Sequence, residues 1–262
     1  MKNSIFTYIL FLLPVFSTAQ NQHKDSVLFK HRIIDYSMDA TGSIFLSFEG
    51  GSITKYSAKL DSLITYSPLK IGDTKLLESG TGLVIFAFYD FFQEYLITDR
   101  FLARPTRTKL SNSSIDYIDI ATQSQDNNIW LVENSTFRLL KYNVILNQIE
   151  IETALNTIID NPDNDFTFIK EYQNQVFLVD KNSGIYVFDN LGNFSKFISA
   201  KTSKCTFEKN IITYLEGGMM VNLDIYSNSE QRSAITETEV LGIMRFKSNL
   251  YYVKDKSLIW QY

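Results

Sequence analysis

Short apolar runs separated by polar turns recur along the chain, and residues 173–198 contain the clearest copy. Within it, the apolar run 176–179 leads to Asp180 and a polar turn, and two further runs follow at 185–188 and 194–198. Runs rich in β-branched and aromatic residues, bounded by Asn, Gly, Asp and Ser, are typical of antiparallel strands joined by tight turns. This stretch therefore predicts a three-stranded meander.

The same pattern recurs at a nearly constant interval. In each copy the second strand ends in an acidic residue, and these acids lie 41, 43, 47, 36 and 39 residues apart. A period near 40 residues in an all-strand pattern predicts the blades of a β-propeller. The strands are continuous apolar runs, which indicates sheets covered on both faces by neighbouring blades. The six acids are Glu49, Asp90, Glu133, Asp180, Glu216 and Asp255.

The predicted fold is all-β, a six-bladed β-propeller of four-stranded antiparallel blades in a single domain over residues 20–262. The last copy stops after its third strand, at Tyr262, while residues 26–30 form a strand left over before the first blade. Pairing these two strands closes the ring and removes both exposed edges. The predicted blades span residues 33–70, 73–110, 115–153, 165–199, 203–236 and 239–262, the last completed by 26–30.

The repeat pattern, G-x-I-hydrophobic-V-D followed by I-x-hydrophobic-aromatic, resembles six-bladed propellers of the NHL and TolB-like kind. The resemblance covers residues 33–262 and implies an architecture that enzymes, sensors and scaffolds share. A WD-repeat interpretation fails, because the two tryptophans, Trp130 and Trp260, do not follow a Gly-His signal.

Residues 1–19 have the pattern of a signal peptide. Lys2 supplies the positive start, residues 5–16 are apolar, and small residues at 17 and 19 precede a cleavage site before Gln20. The apolar core is short for a membrane span, which needs about 20 residues. We therefore expect export to the periplasm or the cell surface, with no transmembrane segment in the mature chain.

Charge and composition narrow the class of partner. Without residues 1–19 the chain has 24 Lys and Arg against 29 Asp and Glu, and it has no basic run. Such a balance excludes nucleic acid as the main partner. The expected partner is another envelope protein, with a small molecule or a glycan as further possible ligands.

The acids at the ends of the second strands allow two interpretations. All six are predicted on the face that carries the connections between blades, where they could hold calcium or a cationic ligand. Alternatively, each carboxylate accepts backbone N–H bonds from its own turn, which explains why every blade has one.

Catalytic motifs are absent from the repeats. The two histidines, His23 and His31, precede the first blade, and the single cysteine, Cys205, lies in a strand predicted to be buried. On these grounds we expect no catalytic residue, no cofactor, no metal and no enzymatic activity. A calcium-dependent hydrolase or lactonase and a carbohydrate-binding module remain as alternatives to a protein-interaction or ligand-binding subunit of the bacterial cell envelope.

The second blade departs most from the repeat and supplies the candidate partner site. Its loop has four aromatic residues where the other blades have polar turns, which suits either an exposed anchor patch or packing between blades. A basic stretch follows, which suits either an acidic partner or a solvated edge. The candidate partner-binding residues are Tyr89, Phe91, Phe92, Tyr95, Arg100, Arg104 and Arg107.

Overall fold

The computed structural model describes residues 23–79, 83–110 and 114–262, and in these residues the strands form six four-stranded antiparallel sheets. The sheets are the blades of a ring, so the predicted six-bladed propeller is confirmed. The helical structure of these residues is one 3₁₀ turn, Leu155–Thr157. In the same residues no helix is long and apolar enough to cross a membrane. The predicted signal peptide, residues 1–19, lies outside the described residues.

Blades one to three follow one another along the chain, and each pairs its strands in chain order from the inside of the ring outwards. The first strand of each blade is called its inner strand below. Blade one contains β2 (Ile33–Met38), β3 (Ile44–Phe48), β4 (Ile53–Tyr56) and β5 (Ser62–Tyr66); blade two β6 (Leu76–Glu78), β7 (Val84–Tyr89), β8 (Glu94–Asp99) and β9 (Thr106–Lys109); and blade three β10 (Ile118–Gln123), β11 (Ile129–Glu133), β12 (Arg138–Asn143) and β13 (Gln148–Ala154).

Blades four to six repeat this arrangement, except that the outer strand of blade six comes from the N-terminal side of the chain. Blade four contains β14 (Phe166–Tyr172), β15 (Gln175–Asp180), β16 (Gly184–Asp189) and β17 (Phe194–Ile198); blade five β18 (Cys205–Glu208), β19 (Ile211–Glu216), β20 (Met219–Asp224) and β21 (Glu230–Ala234); and blade six β22 (Gly242–Phe246), β23 (Asn249–Val253), β24 (Ser257–Gln261) and β1 (Lys24–Leu28).

The ring is closed by β1, as the sequence predicts, although the strand begins two residues earlier than residues 26–30. It pairs antiparallel with β24, from Lys24 opposite Gln261 to Leu28 opposite Ser257. Beyond the strand, Phe29 packs against the rings of Phe48 and Tyr56, at centroid distances of 5.2 and 5.6 Å. The closing segment is therefore attached to blade one as well as to blade six.

The core lies between the blades. The strands β3 and β11 are buried along their whole length, which explains why they lack an alternation of apolar and polar residues. In blades two and five, the turn between the third and the fourth strand also contacts the preceding blade. The Lys55 ammonium donates to the carbonyl of Arg100 at 3.1 Å, and the Lys196 ammonium donates to that of Ile225 at 2.6 Å. Neighbouring blades are thus joined at the periphery as well as through the core.

Candidate functional site: the central channel

Three inner strands carry a β-bulge at the same place, directly after their first residue. In β2, β10 and β14 the pairing register shifts by one residue at this point. The extra residues are Ile34, Asp119 and Thr167. A bulge redirects a side chain and is over-represented next to binding sites. Ile34 and Thr167 line a cavity where these strands begin, and this end of the channel is called the channel mouth below.

An ion pair crosses the channel at this level. The Lys204 Nζ atom, one residue before β18 in blade five, lies 2.7 Å from Oδ1 of Asp35 in blade one, and both side chains are almost buried. The ammonium also donates to the carbonyl of Leu77 at 3.3 Å, and the Leu77 N–H donates to Asp35 Oδ2 at 2.6 Å. The inner edges of three blades therefore meet at one pair of charges.

The surroundings of this pair are apolar. The Lys204 ammonium lies 4.8 Å from the ring centroid of Tyr36 and 5.2 Å from that of Phe168. Burial raises the pKa of Asp35 above its ordinary value, while Lys204 and the Leu77 N–H act in the opposite direction. A desolvated carboxyl beside a desolvated ammonium can hold a polar ligand or exchange a proton with it.

A second ion pair lies deeper in the channel. The Lys170 Nζ atom of blade four is 2.6 Å from Glu78 Oε1 of blade two, and the Glu78 side chain is 7% exposed. Ser37 of blade one donates to the same Glu78 oxygen at 3.4 Å, and its hydroxyl is 2.8 Å from that of Ser79. The two ion pairs thus form two successive charged layers along the channel wall.

The cavity at the channel mouth has a volume of about 310 Å³. Ligand sites typically combine an apolar wall with a few convergent polar groups, at about 300–1,000 Å³. Lys75 forms no salt bridge within residues 23–79, 83–110 and 114–262, although it interacts with Asp119 at longer range. The apolar lining comes from Ile33, Ile34, Leu241 and Val253, and the polar lining from Asp35, Thr74, Lys75, Thr167, Ser203 and Lys204.

The ion pairs were not predicted from the sequence, although a signal is visible there. Asp35 and Lys170 lie within inner strands, Ile33–Met38 and Phe166–Tyr172, while Glu78 ends one and Lys204 directly precedes another. A charged residue in a strand covered on both faces is expected to be paired or functional. The sequence does not show which residue completes each ion pair, because that residue lies in a blade across the ring.

Five of the six acids that end the second strands form bonds inside the fold, and the sixth, Glu49, is exposed. Glu133, Asp180 and Glu216 accept N–H bonds of 3.0, 2.9 and 2.7 Å from the connection that leads into their own blade. Asp90 accepts the N–H of Phe91 at 2.9 Å, and Asp255 binds Arg32 at 2.8 Å. N–H bonds from the acid's own turn are present at Asp90 and Asp180, where Phe91 and Asn182 donate, whereas Glu133 and Glu216 hold the preceding connection instead. Among the described residues, no group of three or more acidic, His or Cys side chains is placed to hold a metal.

Glu133 shows how strongly such an acid is held. Burial alone would raise its pKa, but hydrogen bonds from Arg138, Thr136 and the Asp116 N–H lower the pKa of Glu133 to about 2. Arg138 also pairs with Glu152 at 3.1 Å. Glu133 is therefore ionised at neutral pH and ties the entry of blade three to its third strand.

In the aromatic loop of blade two, some side chains are packed between blades and one is exposed. Tyr89 and Tyr95 are buried, so neither is available to a partner, which corrects their assignment to an exposed patch. Phe92 is half-buried, whereas Phe91 is 82% exposed. Within this loop, Phe91 alone has the exposure that an anchor needs.

The arginines of the basic stretch in the same blade also differ in their exposure. Arg107 is half-buried, lies 4.0 Å from the ring centroid of Tyr89 and pairs with Glu94 at 2.9 Å. Its charge is thus partly neutralised, by a carboxylate that also pairs with Lys70. Arg100 and Arg104 are exposed. Binding of a partner through them stays a prediction.

Cys205 is buried at the start of β18, as expected, and burial raises the pKa of its thiol. We expect a thiol reagent such as Ellman's reagent to label it at least about 5,000-fold more slowly in the native protein than in denaturant. This factor follows from an unfolding free energy of at least about 5 kcal/mol. The same protein in guanidinium is the control. Labelling of the native protein at the rate of a free thiol would contradict the burial.

No protein-family model and no curated protein sequence matches the chain. Solved structures do match its fold. They include a streptogramin B lyase, with a TM-score of 0.64 and 9% identity over 92% of this chain and 97% of that one. Virginiamycin B lyase from Staphylococcus aureus has a TM-score of 0.62 and 10% identity over 92% and 99%. The Cps50 (Swd1) β-propeller domain of Myceliophteria thermophila has a TM-score of 0.65 and 8% identity over 91% and 99%.

These similarities correct one expectation and limit another. The expectation that the chain has no enzymatic activity is contradicted, because two of these propellers are lyases and the fold is compatible with catalysis. The lack of histidine in the blades does not exclude activity. The finer resemblance to NHL and TolB-like propellers is not confirmed. At identities near 10%, the comparisons establish the six-bladed propeller fold. Any activity has to be argued from the residues of the site.

Proposed function

We propose that this chain is an exported binding subunit of the bacterial cell envelope, and that it takes up a small anionic ligand at the channel mouth. The observation that carries the proposal is the cavity of about 310 Å³ above the ion pair of Asp35 and Lys204. Export is supported by the pattern of residues 1–19, with a charged start, an apolar run and small residues at the cleavage site.

The anionic character follows from the charges that line the cavity. Lys75 and Lys204 face one carboxylate, Asp35, so the lining has a net charge of +1. Because Asp35 already neutralises Lys204, the Lys75 ammonium is the group left for a ligand. An ammonium forms its strongest hydrogen bonds with carboxylate or phosphate oxygens. The apolar wall beside it suits the hydrocarbon part of the same molecule.

Calorimetric titration with a panel of small carboxylates and organic phosphates tests this proposal. We expect saturable binding of at least one member, weakened about tenfold in Lys75→Met, since a hydrogen bond to a charged group contributes about 1.5–3 kcal/mol. Lys109→Met is the matched control, because Lys109 is exposed on the outer strand of blade two. An absence of saturable binding, or equal binding by Lys75→Met, would contradict the proposal.

Turnover of the bound molecule is a second candidate. A streptogramin B lyase has a similar fold, and Asp35 is a buried carboxyl beside the cavity whose pKa is raised by that burial. Incubating each bound ligand with the protein and analysing the mixture by mass spectrometry tests this candidate. A product that forms in proportion to protein concentration supports catalysis, and an unchanged ligand rejects it.

A further inference from the structure

A second concave surface lies between blades one and two, and it is called the blade 1–2 groove below. Its volume is about 660 Å³, twice that of the cavity at the channel mouth. It is formed by the turn after β3, the connection between the two blades and the turn after β7. The side chains that line it include His31, Glu49, Ile71, Asp73, Asp90 and Phe91.

Two large apolar side chains in this groove are exposed. Phe91 is 82% exposed and Ile71 80%, and Leu69, two residues before Ile71, is fully exposed. Single exposed apolar residues are common on protein surfaces, but a concave cluster marks an interaction site. Phe91 and Ile71 both lie in short connections between strands. Such connections usually contain polar residues, so two large apolar side chains there are unusual.

The loop that presents Phe91 is fixed from several sides. Tyr89 is buried beneath it and donates its hydroxyl to the carbonyl of Gly51 at 3.3 Å. The Gln93 side chain forms two bonds with the backbone of Ile118, of 2.8 and 2.9 Å, in blade three. Phe92 packs so closely on Gly72 that a Cβ atom there would lie 2.4 Å from its ring. The other residues of the loop are thus held in place while Phe91 is left in solvent.

This arrangement lowers the entropic cost of binding. An aromatic side chain on a fixed turn has little freedom to lose when a partner covers it. Buried aromatic anchors carry much of the binding energy at protein interfaces. Phe91 therefore has the geometry of a preformed anchor.

The charges of the groove are of one sign. Glu49, Asp73 and Asp90 line it without a lysine or arginine, giving −3 when His31 is neutral. Arg32 is close enough to interact with Glu49 and Asp73, but its guanidinium is bonded to Asp255 at 2.8 Å. Lys70, the residue before Ile71, pairs with Glu94 at 2.6 Å. Lys70 shares Glu94 with Arg107, and none of these cations lines the groove, so the charges on the groove wall itself are negative.

We infer that the blade 1–2 groove docks a segment of a protein partner in which an apolar side chain is flanked by lysine or arginine. The apolar residue packs on Phe91 and Ile71, and the cations face Glu49, Asp73 and Asp90. None of the described residues lines both this surface and the cavity at the channel mouth, and the two adjoin between Asp73 and Thr74. Docking in the blade 1–2 groove also places the expected envelope partner on the face that carries the connections between blades.

The probe for the test is a fluorescein-labelled hexapeptide with a leucine–phenylalanine pair between two lysine pairs, followed by anisotropy. We expect saturable binding that weakens as salt is added. Phe91→Ala should reduce the affinity at least tenfold. Glu49→Gln should reduce it about two- to fivefold, and it is the cleanest charge removal because Asp73 and Asp90 accept backbone N–H bonds.

Two controls make the result specific. Leu191→Ala removes a side chain of similar exposure from a turn in blade four and should leave binding unchanged. The same peptide with glutamates in place of lysines should not bind. The inference is overturned if the basic peptide shows no saturable binding up to millimolar concentration, if the acidic peptide binds equally well, or if Phe91→Ala and Leu191→Ala have the same effect.

Discussion

Replacement of Lys204 by methionine is expected to lower the free energy of unfolding by about 3–5 kcal/mol, the usual cost of breaking a buried ion pair from one side. The substitution leaves Asp35 without its cation, 12% exposed and next to apolar rings. For a domain of this size, a loss of 1 kcal/mol lowers Tm by about 2–4 °C, so the melting temperature should fall by roughly 6–20 °C. Denaturant unfolding and a thermal melt measure the two quantities.

The double variant Asp35→Asn with Lys204→Met separates the cost of a stranded charge from a loss of packing. Asn keeps an oxygen for the Leu77 N–H but carries no charge. We expect the double variant to recover more than half of the stability lost in Lys204→Met, because replacing both partners of a buried pair is often nearly neutral. If the double variant is as unstable as the single one, packing rather than charge explains the loss.

The pH dependence of the Lys204→Met variant provides a further test of the same pair. Burial already raises the pKa of Asp35, and removing the ammonium raises it further. A carboxyl whose pKa is higher in the folded than in the unfolded state favours folding when protonated, and this advantage is lost as the pH rises through the folded value. The stability deficit should therefore be smaller at pH 5 than at pH 8. Equal deficits at the two pH values would contradict this assignment.

Deletion of residues 23–29 is expected to lower Tm by roughly 10 °C or more. It removes the outer strand of blade six, exposes the edge of β24 and uncovers the site of Phe29 on blade one. Loss of the Phe29 ring contributes about 2 kcal/mol and loss of the β1–β24 pairing adds to it, so a total of about 3–5 kcal/mol corresponds to about 10 °C in a domain of this size. Differential scanning calorimetry of the deleted and the full chain measures the effect.

Two point variants show whether the effect comes from this closure. Phe29→Ala should cost about 2 kcal/mol, because the ring is partly buried against Phe48 and Tyr56. The neighbouring Lys30→Ala should be neutral, since Lys30 is exposed. A deletion that melts with the full chain, or a Lys30→Ala variant as unstable as Phe29→Ala, would argue against closure as the source of stability.

The architecture was predictable because its signal is local and repeated. Each blade has its own apolar runs and turns. The last repeat ends at Tyr262 without a fourth strand, and an unassigned strand near Lys24 can supply it, so counting the repeats predicts their pairing. The exact start of the closing strand was not predictable. Polar residues at Lys24 and Asp25 hide it, since the strand is exposed along most of its length.

The candidate site was far less predictable. The pairing of Asp35 with Lys204, or of Glu78 with Lys170, depends on which side chains face each other across the ring, and no local pattern encodes that distance. The aromatic loop of blade two illustrates the same limit. Tyr89 and Phe91 are two residues apart and similar in character, yet neighbouring blades bury the first and leave the second in solvent.

The pairing of β1 with β24 has a consequence for the order of folding. Because Lys24 pairs with Gln261, blade six cannot be completed until the last strand of the chain has been synthesised. Contacts between residues so distant in sequence form slowly, and an unpaired strand edge is prone to aggregation in the meantime. Ring closure is therefore expected to be the last folding step. A chain truncated before Ser257 would keep two open edges for proteases and chaperones to recognise.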